Sequence, residues 1–355
     1  MNRQGFPGST RRVAVFGASG HTGRFVVAEL LRRGLTPVAI GRDATRLAGS
    51  GFQNQTVETR VATIEDSASL DQALAGAAVV INCAGPFLDT AESVAAAALR
   101  ARIHYLDVTS EQPSVLATFE RFTKAAHEAG IIVIPAMGFY GGLADLLATA
   151  AMGDWASADE LRIAIALDSW QPTLGTRLTG KRNTARRLVI ADAQLAPLAD
   201  PAPTTSWNFP EPFGLQDVVE LPFSETVLIA RHLRVSALHN FLNLVPLHDL
   251  RDSTTPPPTP ADETGRSAQT FLMQVLARKG PEERGGVVRG RDIYAFTAPL
   301  VVEAVQRILE GEIQMGGVHA PGAVFDAPNF LQTLAPRHLT FELSPPVTQS
   351  RQMFA

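Results

Sequence analysis

The residues nearest the start of the chain that could do chemistry are Val15-Phe16-Gly17-Ala18-Ser19-Gly20-His21-Thr22-Gly23-Arg24. Three glycines, each three residues from the next, stand between an apolar run and a helical pattern. Gly17 allows a tight turn, Gly20 lets a backbone approach a pyrophosphate, and Gly23 lets a helix pack closely on a strand. The free N–H groups and positive dipole end of the following helix favour a phosphate there, with Ser19, His21 and Thr22 beside it. Glycines also punctuate ordinary turns. Here the strand before, the helix after and the strand–helix rhythm all agree with dinucleotide binding.

The end of the second strand, Ile40-Gly41-Arg42-Asp43, bears on which dinucleotide. An acidic residue there bonds the ribose 2′-hydroxyl of NAD, whereas an arginine accommodates a 2′-phosphate. Gly41 leaves room and Arg42 offers a planar fork, with Arg46 one turn on, so NADP(H) is preferred over NAD(H). Two other readings stand beside it. Asp43 serves NAD if the register slips, or Arg42 is a solvated loop charge and Asp43 a helix cap.

Ligands of parallel sheets sit beyond the carboxyl ends of the strands. Thr63 follows the third strand, and Cys83, Ala84, Gly85 and Pro86 follow the fourth. Val108 and Thr109 follow the fifth, and Gly138, Phe139 and Tyr140 the sixth. All but the last two are expected at the cofactor, with Phe139 at the substrate and Tyr140 as a proton donor. Cys83 reads as a packing residue, not a nucleophile, since no histidine lies near it in sequence. A second polar cluster runs from Trp170 to Asn183. Trp170, Thr176, Arg177, Arg182 and Asn183 are expected to hold a small-molecule substrate bearing a carboxylate, and Lys181 is a second candidate proton donor. The alternative is a solvated loop. Arg182 to Arg187 would place positive charge at a helix start, which is unfavourable without an anion. No tyrosine has a lysine four residues on: Tyr105 has Thr109, Tyr140 has Ala144 and Tyr294 has Ala298. That disfavours the short-chain dehydrogenase arrangement. His104, Tyr105 and Tyr294 are assigned to core or strand surface, and no metal site is expected.

These residues need a frame. Strands are expected at 13–16, 37–40, 59–63, 78–82, 104–108 and 131–134. Between them lie helices marked by Val27, Leu30 and Leu31, by Leu70, Ala73 and Leu74, by an Asp89/Glu92 capping box, and by Val115, Phe119, Phe122 and Ala126. That alternation implies an α/β fold, a doubly wound Rossmann domain over residues 1–150, completed by about 320–345. Residues 151–320 read as a second, α+β domain with a mixed sheet, for substrate or dimerisation. It carries strands at 160–167, 268–278 and 292–296, a helix at 298–309, and Pro-rich loops at 197–212 and 253–260.

A net charge of −4 without a long basic run argues against nucleic acid as a partner. The single cysteine allows no internal disulfide and fits a reducing cytoplasm. The first residues lack the apolar core of a signal peptide. The apolar stretch 131–152, broken by Pro135, three glycines and Asp145, reads as strand, loop and helix, with no membrane span. A homodimer is the base-rate expectation.

Gly17-Ala-Ser-Gly-His-Thr-Gly23, Ile81-Asn-Cys-Ala-Gly-Pro-Phe87, His104-Tyr-Leu-Asp-Val-Thr-Ser-Glu111 and Val133-Ile-Pro-Ala-Met-Gly-Phe139 with Leu143-Ala-Asp-Leu146 together resemble the saccharopine dehydrogenase-like oxidoreductase family, best over residues 12–150. Gly316-Gly-Val-His-Ala-Pro-Gly322 before Phe330-Leu331 resembles the family's C-terminal part, which would return to the Rossmann domain. The resemblance implies an NADP-dependent oxidoreductase, preferably reducing C=N or oxidising an amine. Trans-acting enoyl (C=C) reduction and a non-catalytic NADP-binding regulator are the alternatives. The chain departs from the family at Ser110, where glycine is common, and at Tyr140, where aspartate is common.

Overall fold

The computed structural model describes residues 11–348. The first half alternates β1 (Arg12–Phe16), α1 (His21–Arg32), β2 (Thr36–Gly41), α2 (Ala44–Ala48), β3 (Glu58–Val61), α3 (Ser67–Leu74), β4 (Val79–Asn82), α4 (Phe87–Ala101), β5 (His104–Asp107), α5 (Gln112–Ala129) and β6 (Ile132–Ile134). These strands pair in parallel in the order β6-β5-β4-β1-β2-β3. Val13 to Phe16 and Val79 to Ile81 are buried because helices cover both faces of the sheet. The strand order reverses at β1, which pairs β2 on one side and β4 on the other. That reversal opens a crevice beyond Phe16 and Asn82, which are directly paired.

A π-type turn, Phe139–Leu143, and the buried helix α6 (Ala144–Met152) lead into the second half. It comprises β7 (Ala158–Leu167), α7 (Leu174–Arg182), β8 (Leu188–Ala191), β9 (Gln194–Pro197), β10 (Thr204–Phe209), β11 (Gly214–Glu220), α8 (Glu225–Ile229), β12 (Val235–Asn243), α9 (Val245–Arg251), β13 (Thr270–Lys279), β14 (Glu282–Arg291) and α10 (Ile293–Leu309). The chain closes with β15 (Gly317–Val318), α11 (Pro321–Val324), α12 (Ala327–Leu334) and β16 (Leu339–Thr348). The second sheet runs β10-β11-β12-β7-β13-β14-β16 and is mixed, with β12 parallel to β7 and its other neighbours antiparallel. The two-sheet α/β architecture matches the sequence reading.

Several local expectations change. Residues 292–296 are not a strand. Asp292 caps α10, its Oδ1 accepting from the Tyr294 and Ala295 amides at 3.0 Å each, so the apolar run that follows is helical. The Asp89/Glu92 capping box is absent. Helix α4 starts earlier, at Phe87 after Pro86, which leaves Asp89 in its first turn. The Pro-rich stretch 197–212 contains β10, whose inward Trp207 and Phe209 alternate with outward Ser206 and Asn208. The basic run 182–187 does not open a helix; α7 ends at Arg182. Lys181 and Arg182 therefore sit at a helix C-terminus, where positive charge is favourable, and that argument for an anion fails. The C-terminal return is also shorter than expected. β15 adds to β6 in the first sheet, but β16 pairs with β14 in the second.

The halves are clamped where α10 packs along α1. Glu29 accepts from Arg32 and, at 2.8 Å, from Arg33, which also pairs with Glu303. Glu303 in turn holds Arg307 at 2.8 Å. This places the N-terminus of α10 over the crevice. Among the described residues no helix is long and apolar enough to cross a membrane.

Candidate functional site

A cleft of about 1690 Å³ runs along the carboxyl ends of the first sheet and continues beneath α7 and the start of α10. Its volume exceeds that of a typical small-ligand pocket, leaving room for a dinucleotide and a second molecule.

The glycine loop forms one wall. Gly17 adopts φ +81°, and a Cβ on it would lie 2.9 Å from Ala84 Cβ. The Gly17 and Ala18 amides both donate to the Ile40 carbonyl, at 2.9 and 3.1 Å, tying the loop to β2. Gly23 lies under the loop rather than in the cleft, where a Cβ would sit 2.3 Å from the Gly17 carbonyl oxygen. Gly20 is the N-cap of α1 and supplies no capping side chain, so the first-turn amides face the cleft beside Ser19, His21 and Thr22. The His21 ring stands edge-on to Phe25 and Tyr294, at 5.3 and 5.5 Å between ring centres. Burial lowers its pKa, so it stays neutral, and its buried Nε2 has no partner among the described residues.

At one end of the cleft lie Gly41, Arg42, Arg46 and Thr63. Asp43 is engaged as N-cap of α2, accepting from the Arg46 amide at 3.0 Å. Arg42 and Arg46 are exposed, and neither side chain has an ion pair among the described residues.

The middle of the cleft is floored by Cys83, Ala84, Gly85, Pro86 and Val108. Asn82, fully buried, holds this turn by accepting from the Ala84 amide at 3.0 Å and donating to Thr90 at 3.2 Å. Burial, helped by Asp107, pushes the Cys83 thiol far up, so it remains a thiol and not a nucleophile. Asp107 accepts from the Thr109 amide (3.0 Å), the Ala136 amide (2.8 Å) and the Tyr105 hydroxyl (2.9 Å), and so fixes two strand ends together. Burial nevertheless raises its pKa to about 6. Two expected cofactor contacts lie behind this surface. Thr109 is fully buried and its Oγ1 accepts from the Glu111 amide at 3.0 Å. Gly138 packs 3.2 Å, as measured from an added Cβ, from the Val108 carbonyl. Both are supports, because the strand ends turn inward there.

Glu111 is one of the cleft residues that were not singled out from sequence. It is 1% exposed; one carboxyl oxygen accepts from the Phe87 amide at 2.7 Å and the other, Oε1, is buried without a partner among the described residues. Burial raises its pKa to about 7, opposed by the Phe87 and Leu88 amides. Sequence offered only its place after β5.

The far end is built by both halves, and it gathers Phe139, Tyr140, Trp170, Thr176, Arg177, Lys181, Arg182 and Asn183. The Tyr294 hydroxyl is the hub, bonded at 2.8 Å each to Trp170 Nε1 and Thr176 Oγ1, although from sequence it was assigned to core or strand surface. Gly141, at φ +156° and with no space for a Cβ beside Ser224, forms the kink that presents Tyr140. Tyr140 packs its ring at 4.3 Å from Phe223 and 5.6 Å from Trp170. Burial raises the Tyr140 pKa, and its hydroxyl is buried without a partner among the described residues. Arg177 is spent on the carbonyls of Asp252 (3.1 Å) and Thr255 (2.9 Å), and Arg182 pairs with Asp89 at 2.8 Å. Lys181 is exposed at the rim. Arg187, Phe223 and the nearby Glu225, none of them singled out from sequence, complete this end. No cluster of metal-binding side chains occurs among the described residues.

Fold and cleft define a two-part Rossmann-type protein whose main cleft is lined from both halves. Residues 13–134 match the family model described as saccharopine dehydrogenase NADP binding domain. The saccharopine dehydrogenase-like oxidoreductase of Bos taurus is 29% identical over 152 residues, 38% of this chain and 35% of that protein. A lipid droplet localized protein of Caenorhabditis elegans is 32% identical over 148 residues, 38% and 34% of the two chains. The match thus spans about a third of the length of these relatives. Over nearly the whole chain the fold is that of saccharopine dehydrogenase (L-Glu forming) from Saccharomyces cerevisiae. Its TM-score is 0.67 at 13% identity, covering 94% of this chain and 100% of that one.

Proposed function

We propose that this protein is an NADPH-dependent oxidoreductase that transfers a hydride to or from a small metabolite, with C=N reduction or amine oxidation as the preferred chemistry. The observation that carries the reading is one cleft that runs from the glycine loop past Glu111 to Tyr140. The residues fit the cofactor: a Cβ at Gly17 or Gly23 would collide with backbone, whereas the amides of the α1 start remain open. When bound, the nicotinamide supplies or accepts the hydride.

The chain's own residues do the rest. The glycine loop and the α1 amides bind the pyrophosphate. Arg42 and Arg46 hold a 2′-phosphate, and the engagement of Asp43 as a helix cap supports NADPH over NADH. Glu111, with a pKa of about 7, can both give and take a proton near neutral pH at Oε1. Tyr140 keeps its proton and offers it as a hydrogen bond, so it retains a donor role. Lys181, on the solvent side of α7, is better placed to attract an anion than to protonate a substrate. Helix α7 shields the cleft, since Thr179 lies 3.0 Å from where a Cβ on Gly85 would be. A cytoplasmic homodimer completes the proposal, on the single free cysteine and the usual symmetry of soluble oligomers.

The test is oxidation of NADPH, followed by absorbance, with a panel of imines formed from amines and 2-oxo acids beside a panel of enoyl thioesters. Turnover of an imine supports the reading. Turnover of enoyl thioesters alone replaces it with C=C reduction, and no turnover of either by NADPH-binding protein points to a regulator.

A further inference from the structure

We propose that Arg187 anchors the substrate through a single carboxylate carried on an otherwise apolar, ring-sized body. The proposal rests on the reading of the cleft as a nucleotide-and-substrate site. It replaces Arg177 and Arg182 as the expected carboxylate ligands.

The cations lining the cleft differ in what they are free to do. Arg42 and Arg46 stand at the β2 end, far along the sheet from Tyr140. Arg177 and Arg182 are engaged by backbone carbonyls and by Asp89. Arg24, Lys181 and Arg251 are exposed to water, where an ion pair contributes little. Arg187 is only partly exposed. Among the described residues its guanidinium has one hydrogen bond, 2.6 Å to the Pro222 carbonyl, and lies 4.7 Å over the Phe223 ring. A guanidinium carries five donors in a fork matched to carboxylate. Withdrawn from water with one acceptor, it is short of partners, and no carboxylate forms an ion pair with it among the described residues.

Its position is fixed. The Gln112 side chain makes two 2.8 Å bonds with the Leu188 backbone, and the Arg187 carbonyl accepts from the Leu198 amide at 2.8 Å. The turn beneath it is tied down as well. Glu225 accepts from the Phe223 amide at 2.7 Å, and Ser224 donates to the Thr109 carbonyl at 3.1 Å. Arg187 thus precedes a strand start held by Gln112, the residue after Glu111, and its charge acts on Tyr140 in the cleft. Burial lowers the Arg187 pKa, and Glu225 and Tyr140 oppose that shift. Burial raises Glu225 to about 7, so it does not fully offset the guanidinium at neutral pH.

The surroundings set the rest of the ligand. Tyr140, Trp170 and Phe223 supply apolar ring surface. Among the described residues this end offers no second sheltered cation free of partners, which selects a monoanion over a diacid.

Benzoate and its neutral analogue benzamide are suitable probes, titrated calorimetrically into the full chain with and without NADP. Wild type should bind benzoate more tightly than benzamide. Arg187→Met should weaken benzoate by between about tenfold and a hundredfold, the loss of a charged hydrogen-bonded contact. Benzamide and NADPH binding should be unchanged, and Arg187→Lys should recover part of the benzoate affinity. The proposal is overturned if wild type fails to prefer benzoate, or if Arg182→Ala removes that preference and Arg187→Met does not. The wild-type comparison decides the matter even if the Met variant does not fold. Loss of NADPH binding by wild type would instead sink the nucleotide reading, while the nucleotide-free benzoate comparison still judges Arg187.

Discussion

Replacing Glu111 by Gln should raise stability and lower activity together. In the folded chain burial holds this carboxyl at about 7, with Asp107 and Asp89 pushing the same way, against 4.5 for an unperturbed side chain. The folded state therefore binds the proton more tightly than the unfolded state. Stability is lost as pH rises from about 4.5 to about 7, and the loss persists above that range. The interval corresponds to about 3 kcal/mol. Glutamine never ionises, yet its carbonyl can still accept from the Phe87 amide. In urea unfolding near pH 8, Glu111→Gln is therefore expected to be more stable than wild type by up to about 3 kcal/mol. The gain should vanish near pH 4.5, where both side chains are neutral. Turnover should fall by roughly a hundredfold or more as proton exchange is removed. A variant less stable than wild type near pH 8, or a gain that ignores pH, would refute the reasoning.

Gly23→Ala forces a Cβ to within 2.3 Å of the Gly17 carbonyl oxygen and 2.8 Å of Ala18 Cα, both backbone. Overpacking of this kind costs about 1–3 kcal/mol, so a lower melting temperature and weaker NADPH binding are expected together; wild-type values for both would contradict the close packing. Tyr294→Phe leaves Trp170 Nε1 without its 2.8 Å acceptor, an unsatisfied buried donor that costs about 1–3 kcal/mol. Denaturant unfolding should show that loss with NADPH affinity unchanged, and an unaltered midpoint would dismiss Tyr294 as the hub.

The first half was legible because its signals are local. A glycine spacing, a strand-end arginine and the switch between two hydrophobic periods each lie within a few residues. The strand-end turns carrying Ala84, Gly85 and Val108 followed from the rule that ligands lie at carboxyl ends. Thr109 and Gly138 fell on the same turns but behind the surface, and sequence position does not say which way a turn residue faces. The far end was less legible. Trp170 and Thr176 were found through an unusual composition, but their tie to Tyr294 spans more than a hundred residues. Arg187 stood only at the end of a basic run and Glu225 carried no sequence signal, and only the packing of two sheets makes them neighbours of the cleft. Asp292 was read into a strand because a side chain that caps a helix is invisible in hydrophobic periodicity.

The most direct test of the central claim is calorimetric titration of NADPH and NADH into the wild-type chain and an Arg42→Ala variant. The account predicts that NADPH binds wild type more tightly and that the variant loses about tenfold or more of that preference, the worth of a charged hydrogen bond to the 2′-phosphate. Absence of binding by either nucleotide would contradict the account, reducing the glycine loop to a turn and the cleft to an unassigned cavity.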